Sequence, residues 1–330
     1  MGWNWLGVFA AQDALVDLGA APYDGAGLAD QFLAPLWQAT TSAGRLLAVP
    51  WMVYPALFYY RADLLAAAGV AAEPADLATQ ITSWESFVAL AQQVQQATPG
   101  VALFEDPSAM FWPMVHQQPG GWIVDGRSQL AARTSQAAAL TAQVRALQLD
   151  ARSMGNTDFD ASLRQGTLAG VIADPGMRAY LPTAFPEQRG QWRVLRLPGA
   201  GVTFSATYLG IPTQSAHPEA AWALARFLAA DATQQNAFRQ RTGAIPALTS
   251  AWSSPEYDVP DPFFGGIAVD RVLARVAAEM PAFSVSPYDR IARKAVDDAL
   301  DSMLTDSTDP AQAMQQAEEA FLREAPELLR

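Results

Sequence analysis

The stretch GRLLAVPWMVYPALFYYRADLLAAAGV, residues 44–70, is apolar, holds two prolines and carries five aromatic rings within ten positions. Trp51 and Tyr54 precede the second proline, and the other three rings follow it. Because side chains alternate across a strand, we expect Phe58 and Tyr60 to share one face and to lie in the core. The stretch therefore predicts a buried strand that leads into a helix.

Outward from this stretch, short apolar segments alternate with helical ones. The predicted strands are LLAVP (46–50), ALFYY (56–60), GVALF (100–104), LAGVIAD (168–174), WRVLRLP (192–198) and TYLGIP (207–212). Strands that alternate with helices are typical of α/β layers. The fold class predicted from this pattern is α/β.

Capping signals mark the start of three of the predicted helices. Thr82 and Glu85 have the spacing of a capping box. Pro218 stands in the first turn of an amphipathic segment whose apolar side includes Leu224. Asp309, directly before a proline, is expected to be the N-cap of the last helix.

Composition limits the classes of function that the chain can serve. The 330 residues are enough for two lobes, and 51% of them are hydrophobic, so a large core can form. The formal net charge of −12 argues against nucleic acid as a partner. Cysteine is absent, which excludes disulfides and cysteine-ligated metals. Neither a transmembrane run nor a signal peptide is recognisable, because the N-terminal residues lack a basic region followed by an apolar one.

Motifs of the common enzyme classes are not found in the sequence. It has no G-x-S-x-G, no Walker loop and no H-E-x-x-H. Of the two histidines, His217 precedes a helical proline and is expected at the surface, whereas His116 either lines a cleft or is a half-buried structural residue. Carboxylates follow apolar strands at Glu105, Asp106 and Asp174, and strand ends are where α/β sheets place ligands.

Aromatic residues form the most informative group. Most of them stand in loops or at strand ends, not on helical stripes: Trp3, Trp5, Trp51, Tyr54, Trp112, Trp122, Tyr208 and Tyr288. Any single ring can equally be a core residue, since Trp and Tyr bury large areas. Together with Asn4, the strand-end carboxylates and Asp289, they suit a sugar, whose apolar face packs on rings and whose hydroxyls need donors and acceptors.

Several segments resemble, in order, those of the solute-binding proteins of bacterial ABC sugar importers, the maltose-binding-like group. These segments are VPWMVYPALFYYRADLLAAAG, TSWESFVALAQQV, ALFEDPSAMFWPMVHQQPGGWI, LRQGTLAGVIADPGMRAYL, WRVLRLPG, TYLGIPTQSAHPEAAWALARFLAA and TGAIPALTSAW. Each motif has little specificity by itself, but the motifs occur in the order and spacing of the family. Together they cover nearly the whole chain. The resemblance implies a two-lobed periplasmic-binding-protein-like fold of type II, with discontinuous lobes joined by a hinge.

By the same resemblance, the first lobe comprises residues 1–55 and 206–255 and the second comprises 56–205 and 256–330. The chain is expected to cross the hinge near Pro55, Ser205 and Glu256. The family begins with about 60 residues that have no counterpart here, so the first lobe is expected to lack its N-terminal strands and to be weakened by exposed strand edges. Met1 is accordingly read as a misplaced start or the edge of a trimmed chain.

The resemblance also implies which residues contact the ligand. From the first lobe they are Trp3, Asn4, Trp5, Trp51 and Tyr54. From the second lobe they are Glu105, Asp106, Met110, Met177, Arg178, Tyr288 and Asp289, and the aromatic and strand-end pattern adds Trp112, Asp174 and, in the first lobe, Tyr208. The family's stacking tryptophan is replaced by Gly176 or Met177, and charges at Arg178, Asp289 and Arg290 favour a more polar ligand, unless the arginines form surface ion pairs.

The function implied is non-enzymatic binding of a saccharide, most simply an oligosaccharide, and its delivery to the permease subunits of an ABC importer. No cofactor or metal is expected, the protein is expected to act as a monomer, and an extracytoplasmic location, periplasmic or lipoprotein-anchored, is implied. Two alternatives remain open: a glycan-active hydrolase that uses Asp and Glu of the cleft, and a ligand-sensing or adhesion module on the same fold.

Overall fold

The computed structural model describes residues 1–147 and 157–329. Its α-helices are α1 (Trp3–Ala11), α2 (Ala34–Gln38), α3 (Ala62–Ala67), α4 (Pro74–Gln80), α5 (Trp84–Ala97), α6 (Phe111–His116), α7 (Leu130–Arg145), α8 (Thr157–Gln165), α9 (Gly176–Ala184), α10 (Pro218–Ala230), α11 (Ala232–Thr242), α12 (Val269–Ala278), α13 (Asp289–Thr305) and α14 (Pro310–Glu324). Short 3-10 helices occupy Gly25–Gln31, Pro186–Gln188, Thr249–Ser253, Pro255–Asp258, Pro262–Phe264 and Pro326–Leu329.

The strands form two three-stranded sheets and two small ribbons. They are β1 (Thr41–Ser42), β2 (Arg45–Leu46), β3 (Val49–Pro55), β4 (Leu57–Arg61), β5 (Ile123–Val124), β6 (Arg127–Ser128), β7 (Gly170–Ala173), β8 (Trp192–Arg196), β9 (Thr203–Leu209) and β10 (Ile245–Pro246). The first sheet has the order β10-β3-β9 and the second has the order β7-β4-β8, with antiparallel neighbours throughout.

The quoted stretch connects the two sheets. β3 ends at Pro55 and β4 begins at Leu57, so only Ala56 separates a strand of the first sheet from the central strand of the second. Phe58 and Tyr60 are fully buried, and their rings stack with centroids 5.2 Å apart. The prediction that these two rings are core residues is therefore confirmed.

Two hydrophobic cores cover the two faces of the second sheet. Phe58 and Tyr60 of β4 face the core that includes residues of α5, α7, α13 and α14. Leu57 and Tyr59, on the other face of β4, belong to the core that also holds Val53 of β3 and residues of α10 and α12. This second core thus runs from the first sheet to the second.

One sequence prediction on a helix start, one on a helix face and one on a strand need correction. The N-cap of α5 is Ser83, whose side chain accepts a hydrogen bond from the N–H of Ser86, while the Ser86 side chain accepts one from the N–H of Ser83. The capping box thus lies one residue later than the predicted one at Thr82. Leu224 of α10 is 58% exposed and does not lie on the buried side. The segment 100–104 forms no strand, and Ala102 makes only an isolated parallel bridge to Leu168.

The other two helix starts agree with the sequence. Pro218 opens α10, and the Asp309 side chain accepts hydrogen bonds from backbone N–H groups at the start of α14. Within residues 1–147 and 157–329, no helix combines the length and the apolar character needed to cross a bilayer. The same part of the chain contains no cluster of three or more potential metal ligands.

Candidate ligand-binding cleft

A cavity rich in rings lies between the start of α1 and the helices α6, α7 and α13. We call it the aromatic cavity, and its principal lining residues are Trp3, Asn4, Trp112, His116, Trp122 and Phe283. It encloses about 810 Å³, part of which is continuous with solvent.

The N-terminal residues bring Trp3 and Asn4 to this cavity. Gly2 has extended backbone and forms a bridge with Thr207 of β9, and α1 begins at the next residue. The ring of Trp3 meets that of His116 edge-on at 4.9 Å and that of Phe283 at 5.1 Å. Residues from distant parts of the sequence therefore form one aromatic wall.

His116 is held by β9 in a defined tautomer. Its Nδ1 is 3.1 Å from the carbonyl oxygen of Thr203, and because a carbonyl only accepts, Nδ1 carries the proton. Burial, followed by the charge of Arg293, lowers the pKa of His116 to about 3. The ring is therefore neutral at physiological pH, and its Nε2 is an acceptor for a donor such as a sugar hydroxyl.

A tryptophan and an arginine are fixed side by side at one edge of the cavity. Trp112 donates from Nε1 to Asp297 at 3.1 Å, and Arg293 donates from Nε to the other oxygen of the same carboxylate at 2.8 Å. The guanidinium carbon of Arg293 lies 3.5 Å from the ring centroid of Trp112. This face of the indole is consequently covered by a cation.

Asp289 contributes a carboxylate that is turned toward its own helix start. Its oxygens accept hydrogen bonds from the N–H and hydroxyl of Ser286, at 2.9 and 2.6 Å. Burial raises the pKa of Asp289 to about 6, although the bonds from Ser286 favour the ionised form. The group can accept a further hydrogen bond from a ligand in the aromatic cavity.

A second cavity, which we call the acidic cavity, adjoins the first across the start of β9. Thr203 lines the aromatic cavity, and its sequence neighbour Phe204 lines the acidic one. The polar side chains around the acidic cavity are Glu105, Asp106, Ser108 and Asp174, and it encloses about 950 Å³. The carboxylates of Glu105, Asp106 and Asp174 therefore converge on one cavity, although only Asp174 follows a strand, β7.

Glu105 is the most perturbed group of the acidic cavity. Its side chain is 8% exposed and accepts a hydrogen bond from the N–H of Ile172 at 3.2 Å. Burial raises the pKa of Glu105 to about 8, with a smaller contribution from the charge of Asp106. At neutral pH Glu105 is accordingly protonated and can donate a hydrogen bond.

The other polar groups of this cavity are fixed by local bonds. Asp106 accepts from the N–H and the hydroxyl of Ser108, and Asp174 accepts from the N–H of Gly176. Tyr54, half-buried at the end of β3, has a pKa raised first by burial and then by the charge of Asp174. Tyr54 does not itself line the acidic cavity, although the charge of Asp174 acts on its hydroxyl.

Three predicted contact residues lie instead in the hydrophobic cores. Met110, Met177 and Tyr208 are at most 1% exposed and offer no surface to either cavity. Met110 precedes α6 and Met177 lies in the first turn of α9, where apolar side chains turn inward to pack under the helix. We therefore exclude these three from the ligand-contacting set.

Four further predicted residues lie outside both cavities. Trp5 is 37% exposed and lies under Arg290, whose guanidinium carbon is 3.9 Å from its ring centroid. Trp51 packs on Phe238 with centroids 4.5 Å apart. Tyr288 is hydrogen-bonded to Glu327, and Arg178 is ion-paired with Asp270, which agrees with the alternative that Arg178 serves an ion pair.

The sequence prediction missed Arg133, Phe283 and Arg293, and left His116 undecided. Helical spacing could have found two of them, because His116 follows Trp112 and Arg293 follows Asp289 by four residues, which is one turn. Arg133 and Phe283 reach the aromatic cavity only through tertiary packing, and no local pattern indicates them.

Comparisons with known proteins identify chains that are similar to this one. A family model described as "Bacterial extracellular solute-binding protein" matches residues 2–261. A lactose-binding protein from Rhizobium radiobacter is 25% identical over 255 residues, which are 73% of this chain and 59% of that protein.

Solved structures of similar fold cover the whole chain. A crystal structure of an extracellular solute-binding protein of family 1 has a TM-score of 0.87 at 23% identity and covers 100% of this chain and 85% of its own. The ABC transporter associated binding protein of B. animalis subsp. lactis Bl-04, in complex with β-1,6-galactobiose, has a TM-score of 0.78 at 18% identity, with 99% and 84% covered. The predicted two-lobed α/β fold is thereby confirmed.

Proposed function

The chain belongs to the bacterial extracellular solute-binding proteins, and we propose that it binds a saccharide in the cleft formed by the aromatic and acidic cavities. The observation that carries this proposal is the aromatic wall of Trp3, His116 and Phe283 beside the amide of Asn4. Rings suit the apolar face of a sugar, while amide, imidazole and carboxyl groups suit its hydroxyls. As a member of this family the chain is a binding protein and not an enzyme.

Each cavity has a part in this proposal. In the aromatic cavity, Trp3 and Trp112 provide stacking area, and Asn4, His116 and Asp289 bind hydroxyls. In the acidic cavity, Glu105, Asp106 and Asp174 bind the hydroxyls of a second sugar unit. Two adjoining cavities suit an oligosaccharide, and the lactose-binding and galactobiose-bound relatives are consistent with a disaccharide.

Closure of two lobes on the ligand completes the proposed mechanism. We propose the lobes that the resemblance implies, residues 1–55 with 206–255 and 56–205 with 256–330, with the second and third crossings moved. The abrupt change of sheet at Ala56 supports the first crossing. The second crossing is proposed just before β9, slightly earlier than Ser205, because β9 pairs with β3 from Thr203 onward. The third is proposed along α12, which contacts strands of both sheets, and not at Glu256.

Delivery to the permease of an ABC importer is the proposed use of the bound sugar. Relatives associated with ABC transporters support this partner. An extracytoplasmic location, in the periplasm or on a lipid anchor, follows from the same proposal. Binding by a monomer is sufficient, because both proposed lobes of the cleft come from one chain.

A thermal melt against a panel of sugars tests the proposal. The panel contains lactose, β-1,6-galactobiose, maltose, their monosaccharides, and amino and acidic sugars. A ligand at a hundred times its Kd stabilises the folded state by about 2.7 kcal/mol, which raises Tm by roughly 4 °C in a chain of this size.

Matched variants distinguish cleft binding from other binding. Trp112→Ala is expected to abolish the shift, whereas Phe227→Ala, which alters an aromatic residue on α10 that is 49% exposed, is expected to retain it. A cooperative melt that no sugar moves would contradict the proposal.

A further inference from the structure

Arg133 of α7 brings a positive charge to the aromatic cavity. Its NH1 donates to the carbonyl of Pro119 at 2.7 Å and its NH2 donates to that of Gln118 at 3.0 Å. The guanidinium carbon lies 5.8 Å from the ring centroid of Trp122. Arginine has five N–H donors, so three of them have no acceptor within the described residues 1–147 and 157–329.

Arg133 differs from the other charged residues of the aromatic cavity in the partners of its charge. Arg293 is neutralised by Asp297, at 2.8 Å. The oxygens of Asp289 are bound by Ser286 and form no salt bridge with an arginine. Among the described residues, no carboxylate lies within ion-pair distance of Arg133.

A half-buried guanidinium without a carboxylate is less favourable than one whose charge is compensated. Burial lowers the pKa of Arg133, which reflects this cost. Carbonyl oxygens satisfy two donors but carry no formal charge. A ligand with a negatively charged group would compensate the guanidinium and use its free donors.

We propose that the sugar unit held in the aromatic cavity carries a carboxylate, as a uronic acid does, and that Arg133 binds it. This inference rests on the proposed saccharide function and specifies its ligand. A planar guanidinium matches a carboxylate in two parallel hydrogen bonds. The one positive charge of Arg133 fits one negative charge, and the carboxylate of Asp289 in the same cavity disfavours the larger charge of a phosphate ester.

The rest of the cleft fits the neutral parts of such a ligand. The aromatic wall packs on the ring of the uronic acid, and the neutral His116 accepts from a hydroxyl at Nε2. The acidic cavity would repel a second carboxylate, so the adjoining sugar is expected to bind best when it is neutral. The predicted ligand class is thus an acidic disaccharide with a single carboxylate.

Matched pairs of sugars test the inference by titration calorimetry. One pair is cellobiouronic acid and cellobiose. In the other pair, a disaccharide of terminal glucuronate linked to galactose is compared with its neutral counterpart, in which glucose replaces the glucuronate. Glucose 1-phosphate and glucuronic acid form a third comparison. The acidic member is expected to bind at least 10-fold more tightly in one or both disaccharide pairs.

Variants assign the effect to Arg133. Hydrogen bonds to charged groups contribute enough that Arg133→Gln is expected to weaken the acidic sugar about 10- to 100-fold and the neutral one less than 3-fold. Arg145→Gln removes the same charge from the same helix, at a residue that bonds Ser307 outside the cavity, and is expected to change neither affinity. Arg133→Lys keeps the charge without the fork and is expected to lie between wild type and Arg133→Gln.

The outcomes separate this inference from the proposed function. If neutral sugars bind and no acidic partner binds more tightly, the inference is overturned and saccharide binding stands. If Arg133→Gln and Arg133→Lys weaken both members equally, Arg133 only shapes the 118–119 turn, and the inference is again overturned. Tighter binding of the sugar phosphate than of glucuronic acid overturns the carboxylate assignment. If no sugar of either kind binds, the proposed function itself has failed.

Discussion

Glu105 is a single residue whose ionisation is linked to the stability of the whole protein. Its pKa is raised to about 8 in the folded state from an ordinary value of 4.5. The stability that the protonated form contributes is therefore fully present below about pH 4.5 and is lost as the pH rises toward 8. A buried carboxyl group at a ligand cavity thus makes the protein less stable under alkaline conditions.

Replacing Glu105 with Gln is expected to remove this loss. Between about pH 5 and 8, the unfolding free energy of the wild type is expected to fall relative to that of Glu105→Gln, by up to about 1.4 kcal/mol per pH unit. Urea unfolding at several pH values measures both. Glu319→Gln, the same substitution at an exposed residue of α14, is the control and is expected to follow the wild type. Parallel curves for wild type and Glu105→Gln would contradict the prediction.

Individual site residues could be predicted only where their position in the chain provided a reason. The ends of predicted strands indicated Glu105, Asp106 and Asp174, and these do surround one cavity. The family resemblance added Met110, which is buried, because whether a side chain turns inward depends on packing around α6. Arg133 is far in the sequence from most aromatic residues of the aromatic cavity. Only the tertiary fold shows that it lies there.

At the scale of elements, the start of α5 depends on one hydroxyl group. Ser83 accepts from the N–H of Ser86 at 3.2 Å, and the Ser86 hydroxyl in turn accepts from the N–H of Ser83 at 3.0 Å. Thr82, one residue earlier, has the composition of a cap but not its position. Sequence composition identified this helix start to within one residue. The packing of the buried Trp84 and Phe87 determines at which residue the helix begins.

Alanine substitutions distinguish the two candidate caps. Ser83→Ala is expected to destabilise the protein by about 1 kcal/mol, the usual contribution of an N-cap. Thr82→Ala is expected to change stability by less than about 0.5 kcal/mol, as surface substitutions do. Urea unfolding of both variants measures the difference. A larger effect of the substitution at Thr82 would mean that Thr82 is the N-cap, as predicted from the sequence.

Element types were predicted well, and the exception is instructive. The apolar segment 100–104 has strand composition, yet only Ala102 pairs, with Leu168 just before the edge strand β7. β4, β7, β8 and β9 agree with the predicted strands to within a few residues. Sequence patterns therefore indicate which segments are extended, whereas the tertiary fold decides which of them form sheets.

At the scale of the whole molecule, Asp270 of α12 joins distant parts of the chain. Its carboxylate is 3% exposed and pairs with Arg178 of α9 and Arg239 of α11. Arg239 also bonds Glu256 at 2.7 Å, and its guanidinium lies 4.6 Å from the ring of Tyr257. Two cations therefore depend on one buried carboxylate.

Neutralising that carboxylate is expected to be costly. Asp270→Asn leaves two guanidinium groups without their shared charge partner and is expected to destabilise the protein by about 3 kcal/mol. Asp258→Asn, the same substitution at an exposed partner of Arg271, is expected to leave the unfolding midpoint unchanged. Equal midpoints for the two variants, compared by urea unfolding, would show that the network around Asp270 is not structural.

The position of β4 has a consequence for how the protein unfolds. One face of this strand belongs to one hydrophobic core and the other face to the core that extends to the first sheet. Neither core can lose its packing without exposing a face of the same five-residue strand. Despite its two lobes, the protein is expected to melt as a single cooperative unit, with a calorimetric enthalpy equal to the van't Hoff enthalpy. Two resolved heat-capacity peaks would mean that the shared strand does not couple the lobes.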